Sequence, residues 1–233
     1  MRSTKTGMAV VVAAAWWTMA CGSSARGGAV VHEHEVVERG AATDARVEIA
    51  MSAGELEVKS GATMLFEGDF DFNVPALKPA IAYAVNASTG SLKVSQGSAS
   101  GNYENSWRLS LDETTPVDLH LSLGAGDAML VLGRLNLRSL VIRLGAGDLV
   151  VDLRGTPARS YSVQVEAGAG DTTIQLPASV GISARTSGVI GDVSVSGLEK
   201  RDGGWVNARA GASSVTVDLQ VQHAIGDLKL SAE

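Results

Sequence analysis

Five aspartates each follow a glycine in a segment that recurs along the chain. They are Asp127, Asp148, Asp171, Asp192 and Asp227. The first three stand in near copies of one segment, LGAGDAMLVL, LGAGDLVVDL and AGAGDTTIQL. Carboxylates at a regular spacing could bind Ca²⁺, and a glycine-rich turn could hold a phosphate.

The phosphate interpretation fails because the glycines do not open a helix. A dinucleotide fingerprint needs a helix that begins there, whereas apolar residues alternate with polar ones after each turn and predict a strand.

Ca²⁺ is the stronger candidate, since β-rolls bind it through Gly- and Asp-rich turns. Each unit offers one acidic position, however, and Ca²⁺ takes six to eight oxygens. Stacked carboxylates about 4.8 Å apart repel by only about 0.9 kcal/mol in water, so a cation is allowed but not required. No cofactor is therefore predicted, and Ca²⁺ at the five aspartates stays an alternative.

Catalytic patterns are not found in the sequence. It has no G-x-S-x-G or H-E-x-x-H motif, and its single cysteine is Cys21. His32-Glu33-His34-Glu35 could make a loose metal contact, but a solvated tether is the favoured interpretation. Two of the aspartates could form a glycosidase dyad, yet the long aromatic groove of such enzymes is missing. We therefore predict a protein that is not an enzyme, with a polysaccharide-active enzyme as the least favoured alternative.

The repeat extends well beyond the three near copies. Its turn glycines are Gly54, Gly90, Gly126, Gly147, Gly170, Gly191 and Gly226. Two and four residues after the glycine, and five and seven before it, the positions are almost all apolar with polar residues between. This alternation predicts strand, turn and strand with one buried face. Each unit can cover its apolar face only by stacking on another. We predict an all-β, single-domain β-solenoid, with a β-sandwich of hairpins as the alternative.

The aromatic residues lie in the longer units. Phe66, Phe70 and Phe72 are all the phenylalanines of the chain, and we expect them to cap an open end of the stack. The alternative is a partner-binding patch that includes Phe70 and Phe72. Trp107 and Trp205 each stand in an insertion, where the ring could fold onto the solenoid or contact a ligand; the sequence leaves both open.

The first residues resemble a secretion signal. Arg2 and Lys5 precede an apolar run that is too short to span a membrane. It ends in Thr18-Met19-Ala20-Cys21, similar to a bacterial lipobox. We predict a lipoprotein signal peptide over 1–20, a flexible tether over 21–40, and the repeat domain over 41–233. Lipid on Cys21 would hold the protein to a membrane outside the cytoplasm, on the outer membrane or the periplasmic face if the source is Gram-negative.

The overall composition limits the classes of molecule that the protein could bind. The formal net charge is −6, and no cluster of Lys and Arg follows the signal. Nucleic acid is excluded, because phosphate binding needs concentrated positive charge. With Cys21 as its only cysteine the domain has no disulfide, so burial and backbone pairing must stabilise it.

Three segments resemble one known family. RVEIAMSAGELEVKSG, LFEGDFDFNVPALKPAIAY and LGAGDAMLVLGRLNLRSLVIRLGAGDLVVDL resemble the toast-rack group of bacterial envelope proteins. That group is related to LiaF-like cell-wall-active-antibiotic response proteins and to the putative-adhesin β-solenoids. The resemblance, over residues 44–230, implies a stacked β fold outside the cytoplasm without catalytic residues, and a role in envelope-stress sensing by protein contact. LiaF-like proteins carry membrane helices ahead of this domain, where this chain has the signal. A Ca²⁺- or glycan-binding, adhesin-like surface protein is the alternative function.

Overall fold

The structure, a computed structural model, describes residues 28–99, 101 and 103–233. The predicted signal peptide and Cys21 lie outside the described residues. Within them the chain forms one short 3₁₀ helix, Pro75–Leu77, and nineteen strands. The strands are β1 (Val31–Val37), β2 (Asp44–Ala53), β3 (Glu55–Ser60), β4 (Phe66–Phe72), β5 (Ala80–Asn86), β6 (Thr89–Ser95), β7 (Asn105–Leu111), β8 (Val117–Ala125), β9 (Ala128–Val131), β10 (Leu137–Ala146), β11 (Leu149–Asp152), β12 (Tyr161–Ala169), β13 (Thr172–Leu176), β14 (Gly181–Ser187), β15 (Val193–Ser196), β16 (Glu199–Arg201), β17 (Gly204–Val206), β18 (Thr216–Ile225) and β19 (Leu228–Ala232).

The strands form two long sheets. The nine-stranded sheet has the order β1-β4-β7-β3-β9-β11-β13-β19-β15, and the ten-stranded sheet has the order β16-β17-β14-β18-β12-β10-β8-β2-β6-β5. Side chains alternate between buried and exposed along most strands, as in β18, which places one face of each sheet in a shared core. Among the described residues no helix is long and apolar enough to cross a membrane.

Equivalent strands of the repeat lie side by side and parallel, which confirms the predicted β-solenoid. One row of register partners runs through Val47, Leu119, Leu140, Val163 and Leu219, each at most 1% exposed. We call one strand of the ten-stranded sheet, its corner and the following strand of the nine-stranded sheet a coil. A sandwich of hairpins would pair successive strands antiparallel, so that alternative is not observed.

The coils do not stack in chain order. The coil β6–β7 lies outside β2–β3, which contacts β8–β9. At the other end β18–β19 lies between β12–β13 and β14–β15. The last coil of the sequence is therefore inserted one place before the end of the stack.

The predicted turn at Gly90 is wrong. Gly90 lies inside β6, where it pairs with Ala45 of β2 and with Val85 of the antiparallel strand β5. The residues around it form a hairpin that turns at Ala87 and Ser88. Glycine is required there because the Tyr83 ring crosses it, and a β-carbon on Gly90 would collide with that ring.

The tether differs from the prediction over its last part. Residues Val31–Val37, assigned to the flexible tether of 21–40, form β1 and pair antiparallel with β4. Seven residues of β1 are in antiparallel register with β4, and the outward His32 and His34 lie opposite Asp71 and Asp69, partners that are far away in sequence.

Candidate functional site

The corners of the coils bring the repeated glycines into one column. Gly126 and Gly147 have φ angles of +117° and +126°, which favour glycine strongly. A β-carbon on Gly147 would also collide with the carbonyl oxygen of Gly126 in the next coil, and the same collision recurs at the other stacked corners. The glycines are therefore explained by a sharp corner and by close stacking of one corner on another.

The five predicted aspartates form a continuous ladder along this column. In spatial order the aspartate ladder is Asp127, Asp148, Asp171, Asp227 and Asp192. The Oδ1 atom of each accepts a hydrogen bond from the backbone N–H of the next, at 2.9–3.0 Å. Each carboxylate thus ties its coil to the neighbouring one, which explains the residue type without a ligand.

Ca²⁺ binding by the aspartate ladder stays a prediction. Among the described residues no group of three or more His, Cys, Asp or Glu side chains is arranged to hold a metal. Backbone amides already occupy one oxygen of four of the five carboxylates. The second carboxylate oxygen of each remains for solvent or a ligand, because all five residues are exposed.

An exposed apolar strip borders the aspartate ladder on the nine-stranded sheet. It consists of Met129, Val131 and Val150, which are 51%, 41% and 38% exposed. Met129 and Val150 are register partners on neighbouring strands. Together with Asp127 and Asp148 they line a shallow depression of about 370 Å³, which joins apolar and acidic groups on one surface; Glu55, Glu57 and Arg108 also line it.

Three of the four predicted partner-binding aromatics are buried. Phe70 and Trp107 are 0% exposed and Phe72 is 4% exposed, so a partner cannot reach them. Phe70 and Trp107 pack edge to face with ring centroids 5.3 Å apart, because β4 pairs with β7 and directs both rings into the core. Phe70 and Phe72 lie in β4 near the end of the stack, where a cap was predicted, and Trp107 follows the first of its two alternatives, with its ring folded into the core. Trp205 is half-buried, and Lys200 Nζ lies 5.6 Å from its ring centroid.

Sequence reasoning missed a polar cluster on the outer face of β1, β4 and β7. His32 donates from Nδ1 to Asp71, and His34 Nδ1 lies 2.7 Å from Asp69. Arg108 also donates to Asp71, at 2.7 Å. The hydrogen bonds from His32 and Arg108 hold the pKa of the Asp71 carboxyl below its usual range. The alternation of aspartates in FEGDFDF was the available signal, but the sequence could not pair them with histidines more than thirty residues away.

A cleft opens beside this cluster, where the first corner of the stack meets its cap. We call it the end cleft; its volume is about 650 Å³. It is lined by Val30, His32, Gly54, Glu55, Asp71, Tyr103, Glu104, Asn105 and Ser106. Leu56 of β3 and Ala128 of β9 are register partners, and each directly follows an acidic residue, Glu55 or Asp127. The end cleft therefore continues the row of acidic residues along the corners. Tyr103 and the carboxylates of Glu55 and Glu104 can contact a polyhydroxylated ligand there, whereas Asn105 is buried and donates to Ala53 and Gln96.

The histidines outside this cluster do not form a catalytic group. His120 is exposed on the outer face of β8. His223 is 0% exposed, and its Nε2 lies 2.9 Å from the carbonyl oxygen of Gly170. It therefore fills the core position that leucine holds in other coils.

Comparison with known proteins agrees with this geometry. The model of the family described as "N-terminal domain of toast_rack, DUF2154" matches residues 26–175. The crystal structure of a putative cell adhesion protein from Clostridium sporogenes ATCC 15579 is 27% identical, with a TM-score of 0.84, over 88% of this chain and all of its own. No curated protein matches the sequence significantly.

Two further crystal structures are more distant. A putative adhesin from Bacteroides fragilis NCTC 9343 is 11% identical over 87% of this chain and 96% of its own, with a TM-score of 0.32. One from Parabacteroides distasonis ATCC 8503 is 10% identical over 88% and 97%, with a TM-score of 0.29. Both similarities are too weak to inform the fold or the function of this chain.

Proposed function

Because this chain belongs to the family of the N-terminal domain of toast_rack, DUF2154, we propose that it is a noncatalytic interaction module of the cell envelope. The similar structure from Clostridium sporogenes is that of a putative cell adhesion protein, which supports a surface role. A function in envelope-stress response by protein contact is part of the same proposal.

We further propose that lipid on Cys21 anchors the module to a membrane. The support is the sequence Thr18-Met19-Ala20-Cys21 after a short apolar run. Globomycin, which blocks lipoprotein signal cleavage, should then leave an uncleaved precursor, and Cys21→Ala should reduce the membrane-bound fraction. If signal cleavage and the membrane-bound fraction were unchanged in both experiments, the lipid anchor would be rejected. The proposed interaction module would not be affected by that result.

The partner surface that we propose is the aspartate ladder with the adjacent apolar strip. Exposed apolar residues with a polar rim are typical of protein interfaces, and Met129 lies in one depression with Asp127 and Asp148. A row of carboxylates attracts positive charge. The partner would therefore be an envelope protein that presents basic and apolar side chains together.

Site-specific photocrosslinking in cells tests this surface. A photoreactive amino acid at Met129 should give a discrete crosslinked product, whereas one at His120, exposed on the outer face of β8 in the other sheet, should give much less. Replacing Asp127 and Asp148 by Asn keeps the acceptor oxygens of the ladder but removes two charges, and should weaken the product. A Met129 product no stronger than the His120 product would reject the surface.

A glycan-binding function is the second candidate, and the end cleft favours it. Tyr103 offers an aromatic ring there, while the exposed carboxylates of Glu55 and Glu104 offer acceptors for hydroxyls. On a glycan array that includes peptidoglycan fragments, Tyr103→Ala and Glu104→Gln should each reduce binding, whereas Glu199→Gln on β16 should not. An array without any bound glycan would remove this candidate.

Ca²⁺ binding by the aspartate ladder is the other form of this second, adhesin-like candidate. Calorimetric titration with CaCl₂ should give a heat that Asp148→Asn reduces. No heat and no shift in melting temperature would remove Ca²⁺ from the proposal.

A further inference from the structure

Strand β5 is an unprotected edge of the ten-stranded sheet. Within the described residues it pairs only with β6, and its sequence AIAYAVN carries no charge. The other three sheet edges are protected in ways that natural proteins commonly use. β1 carries His32 to Glu35, β16 is Glu199–Arg201, and β15 has only four residues. A seven-residue uncharged edge is a template for another strand.

The backbone of β5 shows which groups are free to pair. Ala87 and Ser88 form a two-residue turn between β5 and β6, with Asn86 opposite Thr89. In such a hairpin the residues on either side of the turn form a hydrogen-bonded pair. Hydrogen-bonded and non-hydrogen-bonded pairs then alternate along the two strands. The N–H and C=O groups of Ile81, Tyr83 and Val85 therefore point to the free edge.

The side chains of β5 are nearly palindromic about Tyr83. Ile81 corresponds to Val85 across this centre, and Ala82 corresponds to Ala84. The alanines face outward and are exposed, while Ile81 and Tyr83 lie half-buried on the core side and Val85 is 37% exposed. A strand with this symmetry is complementary to an antiparallel copy of itself.

We propose that a second copy of this chain docks on β5, with a two-fold axis at Tyr83. Tyr83 then faces its own equivalent, and Ile81 faces Val85 of the other copy. These pairings form about six backbone hydrogen bonds, and each covers an apolar residue with another apolar residue. Two charged residues lie near this face: Lys93, opposite Ala82, is paired with Glu48 at 2.7 Å, and Arg39 accepts a hydrogen bond at its carbonyl oxygen from the Tyr83 hydroxyl at 2.7 Å.

The association is expected to be concentration-dependent. A single pair of strands lies at the low end of interface size, where complexes are transient. We therefore expect a monomer–dimer equilibrium rather than a permanent dimer. The proposal does not depend on the lipid anchor or on the partner surface of the aspartate ladder.

Sedimentation velocity over a concentration series tests the proposal. The chain from Gly22 onward retains all nineteen strands and should shift from monomer to dimer as its concentration rises. Val85→Pro removes an N–H that points to the free edge and costs no bond within the chain, so it should weaken the dimer at least tenfold. Val85→Ala keeps the N–H and is the matched control. A wild-type chain that stays monomeric at all concentrations, or an unweakened Val85→Pro dimer, overturns the proposal.

A short crosslink reports the register directly. Facing residues of a hydrogen-bonded antiparallel pair have Cα atoms about 5.5 Å apart, and their Cβ atoms are wider apart than in a relaxed disulfide, so a short thiol-specific crosslinker suits this position better than direct oxidation. In the chain from Gly22, which has no other cysteine, a bis-methanethiosulfonate reagent should join Tyr83→Cys into a covalent dimer. Lys200→Cys, on the charged edge β16, controls for random collision. Equal dimer yields from both variants contradict the two-fold axis at Tyr83.

Discussion

At the residue scale, the aspartate ladder binds backbone amides from coil to coil. A sequence with regularly spaced carboxylates suggests a cation, and here four of the five carboxylates also accept a hydrogen bond from the N–H of the next coil. The repeated Gly-Asp is thus accounted for by the corner itself. The glycine permits close stacking and the aspartate fixes it.

Replacing Asp148 tests this structural role. Asp148→Ala removes the acceptor for the Asp171 N–H and should lower the free energy of unfolding by about 1 kcal/mol. Asp148→Asn retains an acceptor oxygen at the same place and should cost clearly less. Urea unfolding of both variants measures the difference. Equal losses in the two variants would mean that the hydrogen bond does not stabilise the stack.

The corner glycines should be much less tolerant than loop glycines. Gly147→Ala forces alanine to φ +126° and into the carbonyl oxygen of Gly126, so we expect a loss of about 3 kcal/mol. Gly203 has a φ of +78° but no atom within 4 Å of a β-carbon. Gly203→Ala therefore carries only the backbone strain, about 1 kcal/mol. Thermal unfolding compares them, and a cost at Gly203 equal to that at Gly147 would contradict close stacking.

Asp71 should make stability fall in acid. Its folded pKa is lowered from 3.8 by the hydrogen bonds from His32 and Arg108. The stabilisation is therefore present above the unfolded pKa and is lost as the pH falls through the folded pKa. Unfolding midpoints measured between pH 6 and pH 2.5 should fall less steeply for Asp71→Asn than for the wild type. Glu199→Gln on β16 is the control, and its unfolding midpoints should change with pH as those of the wild type do. Parallel curves for Asp71→Asn and the wild type would disprove the stabilising interaction of Asp71 with His32 and Arg108.

At the element scale, the aromatic cap stabilises the open end of the nine-stranded sheet. Trp107→Ala empties a fully buried site against Phe70 and should cost about 3–5 kcal/mol. Trp205→Ala affects a half-buried ring near Lys200 and should cost much less. Urea unfolding distinguishes them. A small loss for Trp107 would return this ring to the candidates for partner contact.

The strands of the central coils could be predicted from the sequence because their signal is local. Alternation around Gly126, Gly147 and Gly170 fixes two strands and a corner within about ten residues on each side. Stacking is then required to cover one apolar face. The same alternation misled at Gly90, where Tyr83 and Leu92 pair across a hairpin instead of across a corner. Short apolar alternation does not distinguish a parallel coil from an antiparallel hairpin.

The end elements and the end cleft could not be predicted because their contacts are distant in sequence. Strand β1 depends on its pairing with β4, and the polar sequence of β1 alone is typical of a tether. The end cleft combines residues from four separate segments. Burial of Phe70 and Trp107 likewise depends on the pairing of β4 with β7.

At the scale of the whole molecule, one continuous core connects coils that are stacked out of chain order. The insertion of β18–β19 between earlier coils could not be predicted from the sequence, because five corners, those of β8–β9, β10–β11, β12–β13, β14–β15 and β18–β19, present the same glycine and aspartate to their neighbours. The result is a long stack with an acidic corner, an apolar strip and a cleft on its surface. These features support the proposed interaction module of the envelope.

The central claim is that this module is held at the envelope through Cys21. Mass spectrometry of the full chain expressed in a bacterium, after membrane extraction and trypsin digestion, tests it most directly. The account predicts an N-terminal peptide Cys21–Arg26 that carries a diacylglyceryl group and no residue before Cys21. A peptide with an unmodified Cys21 thiol, or a mature chain that begins elsewhere, would contradict it.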